Sequence, residues 1–374
     1  MRRMWHTEEG MTLIEIMVAM VVTAIVAAAG MTILTTSNKA TQVNEQTVDT
    51  QQNVRLAMDL ISQDIKLAGF NMTGPVGACT VGPLASPAPI VPGDNVPGGG
   101  VGVINDVGPD TVRLVVPSMT AGAGGGTPVL SALASGGSNI IALSAADITA
   151  MGAAGLVLGS VVSVGGTSSS QVTAIGAASL TLAKPLSTSP LAQFPGLLED
   201  PVTPTPVYLL QCVQYAISAI PAVCGGSTSC LLRNGVPMVD GIEDLQLAYA
   251  CDGCNVLAPN PGGADGVIDD QDSPFGTPVG AGVFNAADFI TNNNWATLPM
   301  TPDKIKLVQV TIVARDSQPS KGLSEGSSVP MNSAASVIVS DHDPSVDAGY
   351  NAATYQQQRR RVLTRTIQVR NLES

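Results

Sequence analysis

The sequence predicts an α+β protein: a long amino-terminal helix whose first half spans a membrane and whose second half packs on a β-rich globular head. Three observations carry this. Residues 16–38 contain no Asp, Glu, Lys or Arg; as a helix that run is roughly 34 Å long, enough for a hydrocarbon core of about 30 Å. Beyond it Val54, Met58, Ile61, Ile65 and Ala68 recur at spacings of 4, 3, 4 and 3, which draws one apolar stripe along a helix. The chain as a whole carries 39 Gly, 26 Pro and only 3% aromatic residues, the composition of short strands joined by many turns.

Ahead of the apolar run stands a short polar leader, residues 1–10, with Arg2 and Arg3 near its start. A plain signal anchor or a secretory signal peptide accounts for much of this. Neither accounts for two features. Gly10 precedes the apolar run, so a cut there keeps the hydrophobic segment on the mature protein, whereas a secretory signal loses it. Glu15 stands alone at the head of that segment, where an ionised carboxylate costs about 2.5–3.5 kcal/mol if drawn to the bilayer centre. A charge kept at such a place points to function.

Gly10-Met11-Thr12-Leu13-Ile14-Glu15 resembles the processing site of type IV prepilins and pseudopilins. The resemblance implies cleavage after Gly10 by a prepilin peptidase, methylation of the new amino terminus at Met11, and assembly into a filament. Two positions depart from the usual pattern: Met11 stands where the family usually has Phe, and Glu8-Glu9 replace a basic residue. The helix is expected over residues 11–70, roughly 90 Å if unbroken to Gly69, with Gly69 as its stop. Its first half is apolar all round and its second half on one side only, so the first belongs in lipid or a filament core and the second on a head. Arg55 and Asp59 stand i,i+4 on the polar face. The segment from Gln51 to Phe70 further resembles the PilW-type minor pilins.

The remaining chain divides into a Gly/Pro-rich, β-rich subregion, 71–204, and a carboxy-terminal β-rich head, 205–374. Residues 74–100 read as a loop. Strands are expected at Thr111–Val116, Asn139–Leu143, Leu156–Val164, Gln171–Ile175 and Ser179–Leu182, with 121–138 as a mobile low-complexity loop. After a proline-rich linker, 185–206, a second series covers Val207–Ile217, Ser229–Arg233, Gly241–Tyr249, Lys304–Val313 and Arg361–Arg370. In the fourth of these, Lys306, Val308, Val310 and Ile312 alternate with Leu307, Gln309 and Thr311 as in a half-buried strand. The order of this series, with Asp240-Gly241-Ile242-Glu243-Asp244-Leu245 in its middle, again resembles PilW-type chains.

The net charge is −12, and the leader's Arg2, Arg3, Glu8 and Glu9 cancel, so a processed chain keeps it. An acidic chain without a basic stripe is a poor partner for nucleic acid. His6 and His342 are the two histidines; His6 leaves with the leader, and His342, within Ser340-Asp341-His342-Asp343-Pro344, reads as part of a solvated turn. No catalytic residue is assigned and no cofactor is required.

Cys79, Cys212, Cys224, Cys230, Cys251 and Cys254 all follow the membrane segment. An even count in an exported domain favours disulfides. Zinc would need four nearby Cys or His ligands, and the Cys251–Cys254 CxxC has neither a second CxxC nor a histidine pair to complete it. Residues 264–272 resemble the second half of an EF-hand calcium loop, with Asp265 before the turn glycine Gly266, Asp269 at the ninth position and Asp272 at the twelfth. The first two ligand positions fall on Pro261 and Gly263, which have no side-chain oxygen. Calcium and an acidic solvated turn both remain open.

The leading expectation is a PilW-like minor pilin that primes or caps a type IV pilus. It is held in the inner membrane by a single pass, with its head outside the cytoplasm and later on the pilus or cell surface. Its partners are the prepilin peptidase and other minor and major pilins; a bulky head argues against the main subunit of a filament. The alternatives are a large minor pseudopilin of a type II secretion system and a membrane-anchored, calcium-dependent adhesin.

Overall fold

The structure is a computed structural model that describes residues 12–70, 89–93, 104, 106–118, 121–132, 138–165, 168–185, 205–254, 266–268, 272, 284, 288–291, 295, 300–316 and 336–369. Helix α1 runs unbroken over Leu13–Leu67, about 82 Å at 1.5 Å per residue. Thr12 caps it in a reciprocal box: its hydroxyl accepts the Glu15 N–H, and the Glu15 carboxylate accepts the Thr12 N–H. Such a box satisfies two backbone donors that a helix start otherwise leaves orphaned.

Burial follows the composition along the helix, with the first buried residue at Thr50, beyond the end of the uncharged run. Leu13, Ile16, Val21, Ile25 and Leu34 are exposed, whereas Thr50, Val54, Ala57, Met58, Ile61 and Ile65 are buried. The helix ends where Gly69 turns to a φ of 74°, and its N–H donates to the Val115 carbonyl at 3.0 Å.

Among its described residues the head contains two sheets. The larger is built from β1 (Ile90–Gly93), β2 (Thr111–Ser118), β3 (Ile140–Ala142), β4 (Val161–Val164), β5 (Ser168–Ile175), β6 (Ser179–Leu182), β7 (Val207–Ser218), β8 (Cys230–Arg233) and β9 (Val236–Asp240). Its order is β1-β2-β7-β4-β5-β6-β3, with β8 and β9 continuing from the far end of β7. Strand β7 is the hub. It pairs with β2 along Leu209–Tyr215 on one side, and on the other with β4 through Val207–Leu210 and with β8 through Tyr215–Ser218. The smaller sheet is the antiparallel β10-β11-β12, over Ile242–Cys251, Ile305–Arg315 and Arg360–Gln368.

Among the described residues, two larger cores follow from this pairing. The main one lies under α1: Met58, Ile61 and Ile65 meet Leu114, Tyr215, Leu245, Val310 and Ile312. The second joins β3–β6 and the short helix α2 (Ala145–Ala153), with Val207 and Leu209 supplied from the start of β7. In β11 the side chains of Val308, Val310 and Ile312 enter the main core while Leu307 and Gln309 stay half-buried, as the alternation predicts.

Several local expectations need correction. Residues 90–93, expected within a loop, form edge strand β1 paired with β2; Pro92 hides that signal, since proline is tolerated in a sheet only at an edge. The strand expected from Leu156 starts at Val161, and the preceding residues close a turn after α2. That helix starts at Ser144, whose hydroxyl accepts the Asp147 N–H at 3.0 Å, a Ser-x-x-Asp signature masked by alanine-rich surroundings. Ala121 and Leu130 are buried in the second core and Asp147 accepts the Ala123 N–H at 2.9 Å, so this part of the expected mobile loop is packed. Strand β9 was absent from the expectation although Asn234-Gly235, with φ of 53° and 77°, is a strong tight-hairpin dipeptide. Beyond these corrections, Asp59 on the polar face of α1 bonds Arg365 of β12 at 2.8 Å. A short helix, α3 (Ala352–Gln356), precedes β12.

Candidate functional site

The exposed half of α1 is built to leave water. Its threonines return their hydroxyls to the preceding turn, Thr23 to the Ala19 carbonyl at 2.7 Å, Thr32 to Ala28 at 2.9 Å and Thr36 to Thr32 at 2.8 Å. Polar groups satisfied within the helix can enter an apolar medium at little cost. It is long and apolar enough to cross a membrane by length and composition. Glu15, Ala19, Thr23 and Ala27 share one face at i,i+4 spacing, a strip of small side chains headed by one carboxylate. Gly10 and Met11 lie outside the described residues.

The other half of α1 is pinned to the head by polar contacts as well as by the core. Asp64 accepts from the Tyr215 hydroxyl at 2.6 Å and from Arg233 Nε at 2.9 Å. Burial, then the hydrogen bond and charge of Asp64, push the Tyr215 hydroxyl far above the usual phenol range. Thr50 donates to Asp316 Oδ1 at 2.7 Å. These bonds tie one helix to β7, β8 and the end of β11, so a pull on the membrane half is transmitted to both sheets.

A cavity of about 440 Å³, lined by both apolar and charged side chains, opens at the end of the smaller sheet. A register shift between Ile242 and Asp244 marks a bulge at Glu243, and bulges re-aim side chains. Glu243 thereby meets Arg315 at 3.1 Å and Arg360 at 2.6 and 2.9 Å, while the Arg360 guanidinium lies over the Tyr355 ring. The adjacent Gly241 is required: at a φ of 72° a Cβ would stand 3.1 Å from the Arg315 carbonyl.

His342, expected in a solvated turn, is 2% exposed and sits beside this cavity. Its Nδ1 is 2.7 Å from Asp244 Oδ2 and its Nε2 3.0 Å from Asp347 Oδ1. Burial alone would lower its pKa, but the hydrogen bonds and charges of Asp244 and Asp347 outweigh that and push it up to about 9. At neutral pH it is an imidazolium clamped between two carboxylates, with both ring nitrogens occupied and no lone pair to accept a proton. The cluster ties β10 to the segment before β12. Its sequence signals, Glu243-Asp244 on a strand and an arginine run at 359–361, carry no period that reveals their meeting.

Disulfides join Cys224 to Cys230 and Cys251 to Cys254, and Cys212 is disulfide-bonded as well; Cys79 lies outside the described residues. The CxxC is thus closed on itself. Of the candidate calcium ligands, Asp265 and Asp269 lie outside the described residues. Asp272 is 7% exposed, and its Oδ1 accepts the Gly253 N–H at 2.6 Å. Asp252 Oδ2 accepts the N–H of Gly266, which has a φ of 89°. Among the described residues no group of three or more His, Cys, Asp or Glu is placed to hold a metal ion.

Comparison with known proteins places both ends of the chain. The family model of the prokaryotic N-terminal methylation motif matches residues 5–31, which take in Gly10, Met11, Glu15 and the strip of small residues. The family model of type IV pilus-assembly protein W matches residues 209–371, from β7 through β12, including Glu243, His342 and Arg360. No curated protein and no solved structure matches the chain. An apolar amino-terminal helix seated on a β-rich head and these two matches at its two ends support a PilW-type minor pilin in type IV pilus assembly.

Proposed function

We propose that this minor pilin primes or caps the filament and acts as a structural subunit rather than a catalyst. Prepilin peptidase cuts after Gly10 and Met11 becomes the methylated amino terminus. Residues of about 16–38 hold the chain in the inner membrane in a single pass, with the head outside the cytoplasm, until it joins other minor and major pilins at the pilus or cell surface. The observation that carries this reading is the division of α1: an exposed apolar half, continuous with a half that is hydrogen-bonded to the head at Thr50 and Asp64 and packed into its core at Met58.

Glu15 is the assembly residue in this proposal. Among the described residues its carboxylate bonds Thr12 alone, an exposed capping contact. In a dry bundle of helices, the positive amine of a neighbouring subunit's Met11 pairs with it, and pairing offsets the cost of burying either charge only when subunits are in register. Glu15→Gln keeps a capping side chain at the third helical position, so it leaves insertion and the head intact. Its co-purification with partner pilins from membranes is expected to fall well below wild type. Undiminished recruitment would remove Glu15 from the assembly mechanism.

We further propose calcium for the loop at 265–272. Its support is the sequence pattern of Asp265, Asp269 and Asp272 together with the sharp turn at Gly266. Calcium titrated into the full chain in detergent is expected to raise the melting temperature by mass action, and Asp265→Ala with Asp269→Ala to abolish the rise. No rise at millimolar calcium would leave an acidic turn.

A further inference from the structure

The two edges of the smaller sheet are treated differently. At β10 the edge is covered: the Asp110 N–H donates to the Leu245 carbonyl at 2.8 Å, the Leu247 N–H donates to Asp110 Oδ2 at 2.9 Å, and Tyr249 and Ile290 exchange two backbone bonds of 2.9 Å. At β12 no described residue bonds to the outer edge. The register fixes which groups look outward. Val369 donates to the Lys306 carbonyl at 2.9 Å and Asp316 to the Arg359 carbonyl at 3.0 Å, on the ladder that pairs Leu307 with Gln368. Odd-numbered residues of β12 therefore turn their backbone toward β11, and Val362, Thr364, Thr366 and Gln368 turn theirs outward. All four are exposed. The open edge is nine residues long, about 30 Å, long enough for a full partner strand.

Its charge has one sign. Residues 348–372 hold five Arg and no Asp, Glu or Lys, in a chain of net charge −12. Arg360 is committed to Glu243 and Arg365 reaches Asp59, while Arg361 is exposed with no ion pair among the described residues. Charges blunt an exposed edge against its own kind: two β12 edges side by side bring Arg against Arg. Acidic side chains on an incoming strand meet the same arginines as opposite charges across a strand pair, which is favourable.

We propose that the outer edge of β12 receives an extended acidic segment of a partner protein as a fourth strand. Backbone bonds at Val362, Thr364, Thr366 and Gln368 supply its affinity, and Arg361 and Arg365 supply its selectivity. This goes beyond the assembly reading above and depends on neither leader cleavage nor Glu15.

The test titrates the full chain in detergent with two labelled nine-residue peptides, one alternating Thr and Glu, the other alternating Thr and Lys, read by fluorescence anisotropy. The acidic peptide is expected to bind and the basic one not. Thr366→Pro removes one outward donor and leaves the ladder with β11 whole; it is expected to weaken the acidic peptide about tenfold with an unchanged melting curve. Arg361→Glu, at an exposed position, is expected to weaken the acidic peptide and improve the basic one, and it stands as an independent check if the proline variant does not fold. The proposal is overturned if the acidic peptide does not bind, if both peptides bind alike, if the folded Thr366→Pro chain binds as wild type, or if the chain self-associates through β12.

Discussion

Asp244→Ala is expected to destabilise the head by about 3–5 kcal/mol, the usual cost of removing one partner from a buried ion pair. Asp244 and His342 are both nearly inaccessible, and the imidazolium would be left with Asp347 alone. The same cluster sets a pH dependence. The folded-state pKa of His342, about 9, lies above its unfolded value of about 6.5. The pair's contribution is therefore fully present below about pH 6.5 and is lost as pH rises through about 9. The shift corresponds to about 3 kcal/mol. Chemical denaturation of the full chain in detergent between these pH values should show that loss in wild type and a much flatter profile in Asp244→Ala. Equal profiles, or an Asp244→Ala chain as stable as wild type, would mean that the buried cluster adds nothing to stability.

Ile61→Ala should cost a comparable amount, about 2–5 kcal/mol, through lost burial and the cavity left behind. Ile61 is fully buried in the main core between α1 and both sheets. Leu56, on the same helix but 51% exposed, is the matched control, since truncating an exposed side chain usually changes stability by less than about 0.5 kcal/mol. Melting of both variants in detergent checks the contrast. If Leu56→Ala cost as much as Ile61→Ala, the face of α1 that packs on the head would be the wrong one.

That face was legible in the sequence, because an amphipathic helix writes its packing in its own period. The spacing of Val54, Met58, Ile61 and Ile65 needs no partner to be read, and the uncharged run before it likewise announces an apolar medium. Strand alternation gave β7, β10, β11 and β12 to within a few residues for the same reason. What stayed hidden is non-local. β1 looked like a loop because its pairing with β2 depends on residues twenty positions away, and Pro92 disguised it. His342 looked solvated because Asp341, Asp343 and Pro344 around it are turn residues. Only the fold brings Asp244, nearly a hundred residues earlier, within 2.7 Å of it. The division into two cores was equally unreadable, since Val207 and Leu209 serve one core and Val213 and Tyr215 the other from a single strand.

Gly10, Met11 and Glu15 belong to another category, chemistry carried by a motif rather than by packing. In the proposed function their meaning rests on a peptidase and on neighbouring subunits, which no contact within one chain can display. Mass spectrometry of the amino terminus of the protein recovered from cells tests the account most directly. The expected mature chain begins at an N-methylated Met11, and Gly10→Leu is expected to leave the precursor uncut. A mature protein that begins beyond the apolar run, near Gly30 or Ser37, would have lost the helix that assembly requires and would contradict the account.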